Sequence, residues 1–534
     1  MICPRKTRCA ACVEYDATSA LKLQASSTTS IEPELTNLRA LLNGSHDPLS
    51  RVSRETASRI FEAFFEEHLG PKEMPFLLGA VCRLWRDIAW ATPKIWTSAH
   101  FIVNPHNEIG CYIKLFEEYV GRSRFLPIDI HINWREGHGL SRDDPHMPRL
   151  VDILKGCVSR WNSLELYLDL YTFPYLLKDL APIPHSTLRH LRLFPIGNEE
   201  DSFDDSYDED NEDGYQNPRP LDWTSVTRNL KTLELDAYCD VVILDDLKVD
   251  CSSLTRVVGR GTYDGISTVI RNSPCLTTAM VQLGMESSSA HKGVPFIHTS
   301  LRTLKLAPNT PKAVNNFLSV FRFPDLNSLI VDASDLPRAS IRCEIFAAFL
   351  ANSGANLCQL RLENIFWPFE ELQGALIPLL KLEELTFDQP SKISVPQIIK
   401  AVLGLSASHQ IDSPTPQKAS SRFPKLKVFR ILSDARNPGD FWDCLQLIEE
   451  HCNNHFVETS PPEFGPVDIS HSIYLQLLEI KLSSKVRPPY MPQRSLEMVE
   501  RLGKMGVELD ISWEYRGEAV EDLVASSRQI LASQ

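Results

Sequence analysis

A short apolar motif that returns along most of the chain constrains its fold more than any other feature. Apolar residues occupy the first, fourth and sixth positions, as in LRHLRL from Leu188 and LRTLKL from Leu301. Most neighbouring copies begin 22 to 31 residues apart. Such a period is typical of proteins in which each repeat buries its apolar face against the next repeat. Eleven copies, two of them weaker, begin at Trp161, Leu188, Leu230, Leu254, Leu276, Leu301, Leu326, Leu357, Leu382, Leu426 and Leu475.

The alternation within each motif predicts a β-strand with one buried side. In the second copy, Leu191 and Leu193 would face inward while Arg192 faces out. Helical patterns follow some strands, such as FAAFLANSGAN after Cys343 and VPQIIKAVLGL after Ser394. Parallel stacking of strand-plus-helix units with right-handed crossovers predicts an α/β fold for residues 161–515.

This array resembles an irregular leucine-rich-repeat solenoid, with strands on its concave side and helices outside. Only Asn309 occupies the position at which a regular repeat places a turn-bonding Asn or Cys. An unrelated α/β domain whose buried strands share a leucine pattern is the alternative.

Two of the three longest gaps between motifs contain inserts. Residues 199–213 (EEDSFDDSYDEDNED) carry ten carboxylates and no Lys or Arg, and residues 406–421 are rich in Ser and Pro. A like-charge run is usually a solvated loop. Two alternatives for the acidic insert are an acidophilic kinase site at Ser202 and Ser206, and a lid over basic strand residues.

Composition limits the partners of the chain. With 55 Lys and Arg against 69 Asp and Glu, the net charge of −14 disfavours nucleic acid. The thirteen cysteines are too few for a disulfide scaffold, the first residues lack the apolar core of a secretory signal, and no apolar run approaches a bilayer span. We expect reduced thiols and a location in the cytoplasm, the nucleus or both, without a membrane partner.

The segments that flank the array have different patterns. We expect a disordered leader in residues 1–30 and a short amphipathic helix in 31–45. Residues 100–160 are expected to form connecting helix and strand units, and residues 516–534 a C-terminal helix or tail. Between residues 45 and 100, the pattern predicts two helices in a domain of residues 46–99. Ser53 caps the first helix, and the second begins at Pro75 and runs past Ile88. So small a unit cannot bury all its large apolar side chains, which indicates a partner.

This segment resembles the F-box domain, in the form found in the expanded families of mushroom-forming fungi. The similarity lies in HDPLSRVSRETASRIFEAFF followed by PFLLGAVCRLWRDIAWATPKIWTS. The family pattern Val-Cys-x-x-Trp-Arg-x-Ile-Ala begins at Val81, and Thr-Pro-x-Leu-Trp is matched from Thr92 with Ile at its fourth position. The chain departs from the family at Val52-Ser53, where Leu-Pro is usual. An unrelated amphipathic helix pair is the alternative.

The resemblance implies a substrate-recognition subunit of an SCF-type ubiquitin ligase, which binds a Skp-type adaptor through the F-box and an unknown protein target through the repeats. A repeat scaffold with a decayed F-box is the alternative function. The residues implied in adaptor binding are Val52, Ile60, Phe61, Phe64, Leu78, Val81, Cys82, Trp85 and Trp96. Some of these must fill the small core of the domain instead.

Target binding is expected on outward-facing strand residues. Among eight such positions, four are basic, two acidic and two neutral. The basic ones are Arg192, Lys305, Arg361 and Arg430. A mildly basic face would suit an acidic or phosphorylated segment. The alternative is that these are ordinary solvated strand positions.

The sequence predicts neither catalysis nor a cofactor. Cys3, Cys9 and Cys12 lack a nearby fourth zinc ligand. The glycines of GRGTYDG, from Gly259 to Gly265, have the wrong spacing for a dinucleotide loop and favour a repeat turn. No metalloprotease, P-loop or nucleophile-elbow motif occurs. An undetected enzyme on the α/β array is the remaining alternative.

Overall fold

The computed structural model describes residues 47–67, 74–102, 109–133, 146–169, 187–196, 221–235, 247–284, 295–334, 341–365, 367–388, 425–434, 475–484, 493–515 and 521–533, with a few single positions between them. The fold is α/β with a large parallel sheet. Two compact units divide the chain, Met1–His190 and Leu191–Gln534. The predicted leader and both inserts lie outside the described residues, as does the helix predicted in 31–45 apart from Asn37, which is helical.

The first unit begins with a helical segment, residues 47–96. It contains a 3₁₀ turn Pro48–Arg51, helices α1 (Arg54–Glu67), α2 (Met74–Val81) and α3 (Arg83–Ala91), and a second 3₁₀ turn Pro93–Trp96. A single helix from Pro75 past Ile88 was predicted, and this is wrong. Cys82 is extended (φ −159°, ψ 174°), and its Sγ accepts a hydrogen bond from the N–H of Trp85 as the N-cap of α3.

The rest of the first unit alternates strands and helices. The elements are β1 (Ser98–Ile102), α4 (Ile109–Arg122), β2 (Ile128–Asn133), α5 (Met147–Cys157) and β3 (Trp161–Asp169). Strand β2 pairs in parallel with β1 and with β3. The helix and strand predicted between the helical segment and the first motif are confirmed as α4 and β2. Ile128, Ile130 and Ile132 alternate into the core.

All eleven motifs coincide with strands, the first with β3. In the second unit these are β4 (His190–Ile196), β6 (Thr232–Leu235), β8 (Arg256–Gly261), β9 (Thr278–Leu283), β11 (Thr303–Pro308), β13 (Ser328–Asp332), β14 (Gln359–Glu363), β15 (Glu384–Asp388), β16 (Val428–Asp434) and β17 (Leu477–Ser484). A further strand, β18 (Glu508–Tyr515), was not predicted. The short strands β5 (Leu221–Asp222) and β7 (Leu247–Lys248) form one pair, and β10 (Phe296–Ile297) and β12 (Phe321–Arg322) form another.

From β6 to β18, successive long strands pair in parallel and in chain order; we call these ten strands the strand array. A last strand, β19 (Glu521–Asp522), pairs antiparallel with β18. The second-unit helices are α6 (Tyr263–Asn272), α7 (Pro311–Val320), α8 (Cys343–Ser353), α9 (Phe369–Leu376), α10 (Gln493–Lys504) and α11 (Leu523–Ser533). The helix predicted after Cys343 is confirmed as α8; the one predicted after Ser394 lies mostly outside the described residues.

The core of the second unit lies on one side of the strand array. In-register residues such as Leu304, Leu329 and Leu360 are at most 1% exposed. Phe317 stacks on Phe321, with ring centroids 4.6 Å apart. In the stretch GRGTYDG, a Cβ on Gly259 would lie 2.9 Å from the Leu235 carbonyl oxygen of the neighbouring strand. A side chain at this position would clash, so the close approach of the two strands requires glycine here. Among the described helices, none has the length and apolarity needed to cross a bilayer.

Candidate protein-interaction surfaces

The helical segment has an aromatic core that α4 completes. Trp96 is fully buried, and its ring lies 5.4 Å from Phe76, 5.5 Å from Trp90 and 5.0 Å from Tyr119 of α4 in edge-on arrangements. Arg122, also on α4, lies over the Trp90 ring at 5.0 Å, in cation–π geometry. Trp96 is therefore covered by aromatic side chains of its own chain.

Burial separates the nine residues implied in adaptor binding into three groups. Phe61, Leu78 and Trp96 are buried and belong to the internal core. Cys82 and Trp85 are half-buried, whereas Val52, Ile60, Phe64 and Val81 are exposed. Leu77, which is not among the nine, is exposed as well.

Among the described residues of this segment, five large apolar side chains are exposed. We call them the exposed apolar set: Val52, Ile60, Phe64, Leu77 and Val81, which are 38% to 56% exposed. Ile60 and Phe64 are four residues apart on α1, and Leu77 and Val81 are four apart on α2, so each pair shares one helix face. Large apolar side chains grouped in this way on one small domain are typical of interaction surfaces.

Asp47 holds the turn that carries Val52. One carboxylate oxygen, Oδ1, accepts hydrogen bonds from the Leu49 N–H and from the indole Nε1 of Trp85, each at 2.8 Å. The other oxygen, Oδ2, accepts from Cys82 Sγ at 3.5 Å. Sequence reasoning did not single out Asp47, although an Asp directly before Pro48 is a common start for a helical turn.

The outward-facing positions of the strand array form continuous rows across the strands. One row joins Lys305, Ile330, Arg361, Thr386, Arg430 and Glu479 as directly opposed residues, of which Thr386 is buried. The row therefore contains three of the four predicted target-binding residues. The fourth, Arg192, lies on β4, which is not one of the six strands of this row.

Each of the four predicted basic residues has an acidic partner. Arg192 Nε lies 2.8 Å from Glu234, and Lys305 Nζ lies 3.6 Å from Asp332. Arg361 bridges Glu363 at 2.6 Å and Asp388 at 2.9 Å. Arg430 bridges Glu479 at 2.6 Å and also contacts Glu384. These four cations are thus paired with carboxylates of the same face, which we call the neutralised face, and target binding there stays a prediction.

The carboxyl groups of this face respond differently to their surroundings. For Asp332, burial opposes ionisation, but hydrogen bonds from Ser334 and the charge of Lys305 outweigh it and lower the pKa. For Glu479, burial is likewise outweighed, here by Lys481 and Arg430, and the pKa is lowered. In contrast, burial and the neighbouring charge of Asp332 raise the pKa of Glu363. These shifts identify an electrostatically coupled surface.

A second polar cluster, not predicted from the sequence, lies on the sheet of the first unit. His131 Nδ1 lies 2.9 Å from a carboxylate oxygen of Glu165, in poor alignment for a hydrogen bond, and the Tyr167 hydroxyl donates to the other oxygen at 2.8 Å. The His100 and His131 rings are 5.0 Å apart. The register places His131 opposite both His100 and Glu165, so sheet pairing brings these groups together.

The described thiols are poor nucleophiles where they are buried. Burial, with the neighbouring charges of Glu371 and Glu344, raises the pKa of Cys343 to about 11. Burial also raises the pKa of Cys157 and of Cys251. At neutral pH these groups are protonated, and the thiolate is the reactive form. Within the described ranges, His, Cys, Asp and Glu form no group of three or more suited to a metal ion; Cys3, Cys9 and Cys12 lie outside those ranges.

No family model and no curated protein matches the chain.

Proposed function

We propose that the chain is the substrate-recognition subunit of an SCF-type ubiquitin ligase, with residues 46–99 as its F-box and the repeats as an irregular leucine-rich-repeat solenoid. The exposed apolar set carries the proposal. A domain that buries Trp96 and Phe61 yet leaves five large apolar side chains exposed has a surface suited to a second protein. In this proposal a Skp-type adaptor covers that surface.

The departure at Val52-Ser53 has a local counterpart that supports the assignment. Ser53 Oγ accepts a hydrogen bond from the N–H of Thr56 at 3.1 Å and so caps α1, while Asp47 fixes the preceding turn. A side-chain cap and an Asp anchor can order this edge without the proline that the family usually has. Val52 then remains exposed beside the first turn of α1.

The strand array would hold the target protein, and the mechanism would be proximity. Binding the target and the adaptor at once raises the effective concentration of target lysines near the ubiquitin-charged enzyme, while other subunits supply the chemistry. Because Arg361 and Arg430 already have acidic partners, a target must exchange ion pairs on this face rather than fill an empty basic site. We therefore expect selectivity to come from matched charge patterns.

Co-purification with a Skp-type adaptor tests the proposal. The full chain should co-purify with the adaptor, and an Ile60→Asp, Val81→Asp double variant should lose the complex, because both side chains are exposed and a buried charge at the interface is costly. Phe125→Asp is the matched control, since Phe125 is 94% exposed on the turn after α4. It should retain the complex.

Failure of the unaltered chain to bind the adaptor would contradict the ligase proposal. It would favour the second candidate, a protein-binding repeat scaffold with a decayed F-box, which the Val52-Ser53 departure supports. An interaction that survives the double variant would show that the exposed apolar set is not the adaptor surface.

A further inference from the structure

The last parallel strand of the array has one incompletely paired edge. Strand β17 pairs with β18 over all eight residues, from Glu508 to Tyr515. On the opposite side, β19 pairs only with Ser512 and Trp513. Within the described part of the chain, residues 508–511 have no strand on that side.

The backbone direction of these residues follows from one hydrogen bond. The Glu508 N–H donates to the Gln476 carbonyl at 2.8 Å, on the β17 side. Because successive residues of a strand direct their backbone groups to opposite sides, the N–H and C=O groups of Leu509 and the N–H of Ile511 point away from β17. An edge of this kind is a template for pairing with another extended chain.

A cleft of about 860 Å³ lies beside this edge. Residues of α10 and α11 form its walls. Arg528 of α11 lies 3.6 Å from Glu500 of α10, and the N–H of Met491, two residues before α10, donates to Ser527 Oγ of α11 at 2.9 Å. Glu508, Leu509 and Asp510 line it from β18. The cleft therefore lies between two helices and next to the stretch 508–511, which no described strand pairs on this side.

The two sides of the cleft differ in chemistry. Glu508 and Asp510 are exposed and alternate along β18 with Leu509, which is half-buried, while the lining residues Val499 and Val524 are apolar. The lining contains four carboxylates and two cations, namely Glu500, Glu508, Asp510 and Asp522 with Lys504 and Arg528. One cation, Arg528, is already paired with Glu500. An entering strand would meet acidic groups at every second residue and apolar groups between them.

We propose that the edge of β18 binds an extended segment of another protein by β-strand addition, and that this segment alternates basic and apolar residues. The backbone of Leu509 and Ile511 supplies the hydrogen bonds, and Glu508 and Asp510 select the basic side chains. Four residues of edge correspond to about 13 Å of strand, which fits a segment of about four residues. The site is separate from adaptor binding, so either proposal can fail without the other.

Binding of a labelled octapeptide of alternating lysine and valine to the full chain tests the proposal. We expect saturable binding, with slower hydrogen exchange of the backbone amides in residues 508–511. The same peptide with N-methyl groups on alternate residues keeps its charge but cannot pair along one edge, so its binding should fall at least 10-fold. Equal binding of both peptides, or unchanged exchange at 508–511, would overturn the proposal.

Charge reversal supplies the second arm. A Glu508→Lys, Asp510→Lys double variant should weaken binding of the lysine peptide at least 10-fold, because both residues are exposed beside the edge. The matched control is Glu55→Lys, Asp152→Lys, which changes the net charge equally at exposed positions of the first unit and should alter binding less than 2-fold. Equal losses in both variants would indicate general charge attraction and refute the site. Sedimentation that finds paired copies of the chain, separated by Glu508→Lys, would assign the edge to self-association instead.

Discussion

The helical segment and the strand array bury the same kinds of side chain but leave opposite surfaces. The helical segment fills its core with Trp96 and Phe61 and leaves five apolar side chains exposed. The strand array alternates buried leucines with outward charges, and those charges pair with one another, as Arg361 does with Glu363 and Asp388. The helical segment therefore exposes apolar side chains, whereas the strand array exposes charged side chains that are paired with one another.

The difference follows from how each region grows. A repeat buries its apolar side against the next repeat, so the middle of an array needs no other partner, and within the described residues the last strand of the array keeps an incompletely paired edge. A segment of three short helices has too little interior for all its apolar residues. The two proposals of partner binding accordingly place partners on α1 and α2 in one region and at the end of the array in the other.

The largest expected effect compares a buried with an exposed phenylalanine. Phe323 is fully buried, with its ring 5.9 Å from that of Phe321, so Phe323→Ala should lower the free energy of unfolding by about 3–5 kcal/mol. Phe125→Ala, at a side chain that is 94% exposed, should change it by less than about 0.5 kcal/mol. Urea denaturation followed by circular dichroism measures both. Similar losses would contradict the division between core and surface.

A smaller effect is expected at the anchor of the helical segment. Asp47→Ala leaves the Trp85 indole N–H without its acceptor and should cost about 1–3 kcal/mol. Asp87→Ala, at an exposed position of α3, is the control and should be nearly neutral. Thermal unfolding monitored by tryptophan fluorescence checks the pair, and an unaffected Asp47 variant would show that the turn does not depend on this carboxylate.

The N-terminal cap of α1 should contribute less to the stability of the fold than Asp47 does. Ser53→Ala removes the acceptor for the Thr56 N–H and should destabilise the chain by about 1 kcal/mol. Ser53→Asp keeps an acceptor and should restore most of the loss. Denaturation midpoints of the three proteins measure the effect. If Asp and Ala behave alike, helix capping is not the role of Ser53.

The smallest effects concern the neutralised face, where neighbouring carboxyl groups should respond to pH in opposite senses. The pKa of Asp332 is lowered on folding, so its ionised form stabilises the fold above its unfolded pKa, and this stabilisation is lost as the pH falls through the folded pKa. Asp332→Asn should therefore cost less than about 1 kcal/mol at neutral pH. The difference from the parent protein should vanish in acid.

Glu363 should show the reverse. Its pKa is raised by burial and by Asp332, so the parent loses stability as the pH rises from the unfolded pKa through the folded one. Over that pH interval, the free energy of unfolding of Glu363→Gln should therefore rise relative to that of the parent, again by less than about 1 kcal/mol. Urea midpoints between pH 3 and pH 7 measure both variants. Parallel pH profiles would contradict the assigned shifts.

The periodic part of the fold was predictable because its signal is local. Motif spacing located eleven strands, and their parallel pairing in chain order followed from strand-plus-helix units. Strand β18 was missed, since Gly506 takes the position at which the other motifs open with Leu or Trp. The break at Cys82 was missed as well, because the helical spacing of apolar residues continues across it.

The sequence by itself determined that the chain builds parallel strands from repeated apolar alternation and carries a compact helical segment before them. Only the tertiary structure decided which side chains are available to a partner. Phe61 and Phe64 both lie on α1, and the sequence implied both in adaptor binding. Phe61 is buried, with its ring centroid 5.3 Å from that of Trp85, whereas Phe64 is exposed. Likewise, the basic strand residues were visible in the sequence, and register across strands supplied their acidic partners. Burial and cross-strand pairing join residues distant in the chain, which local spacing does not encode.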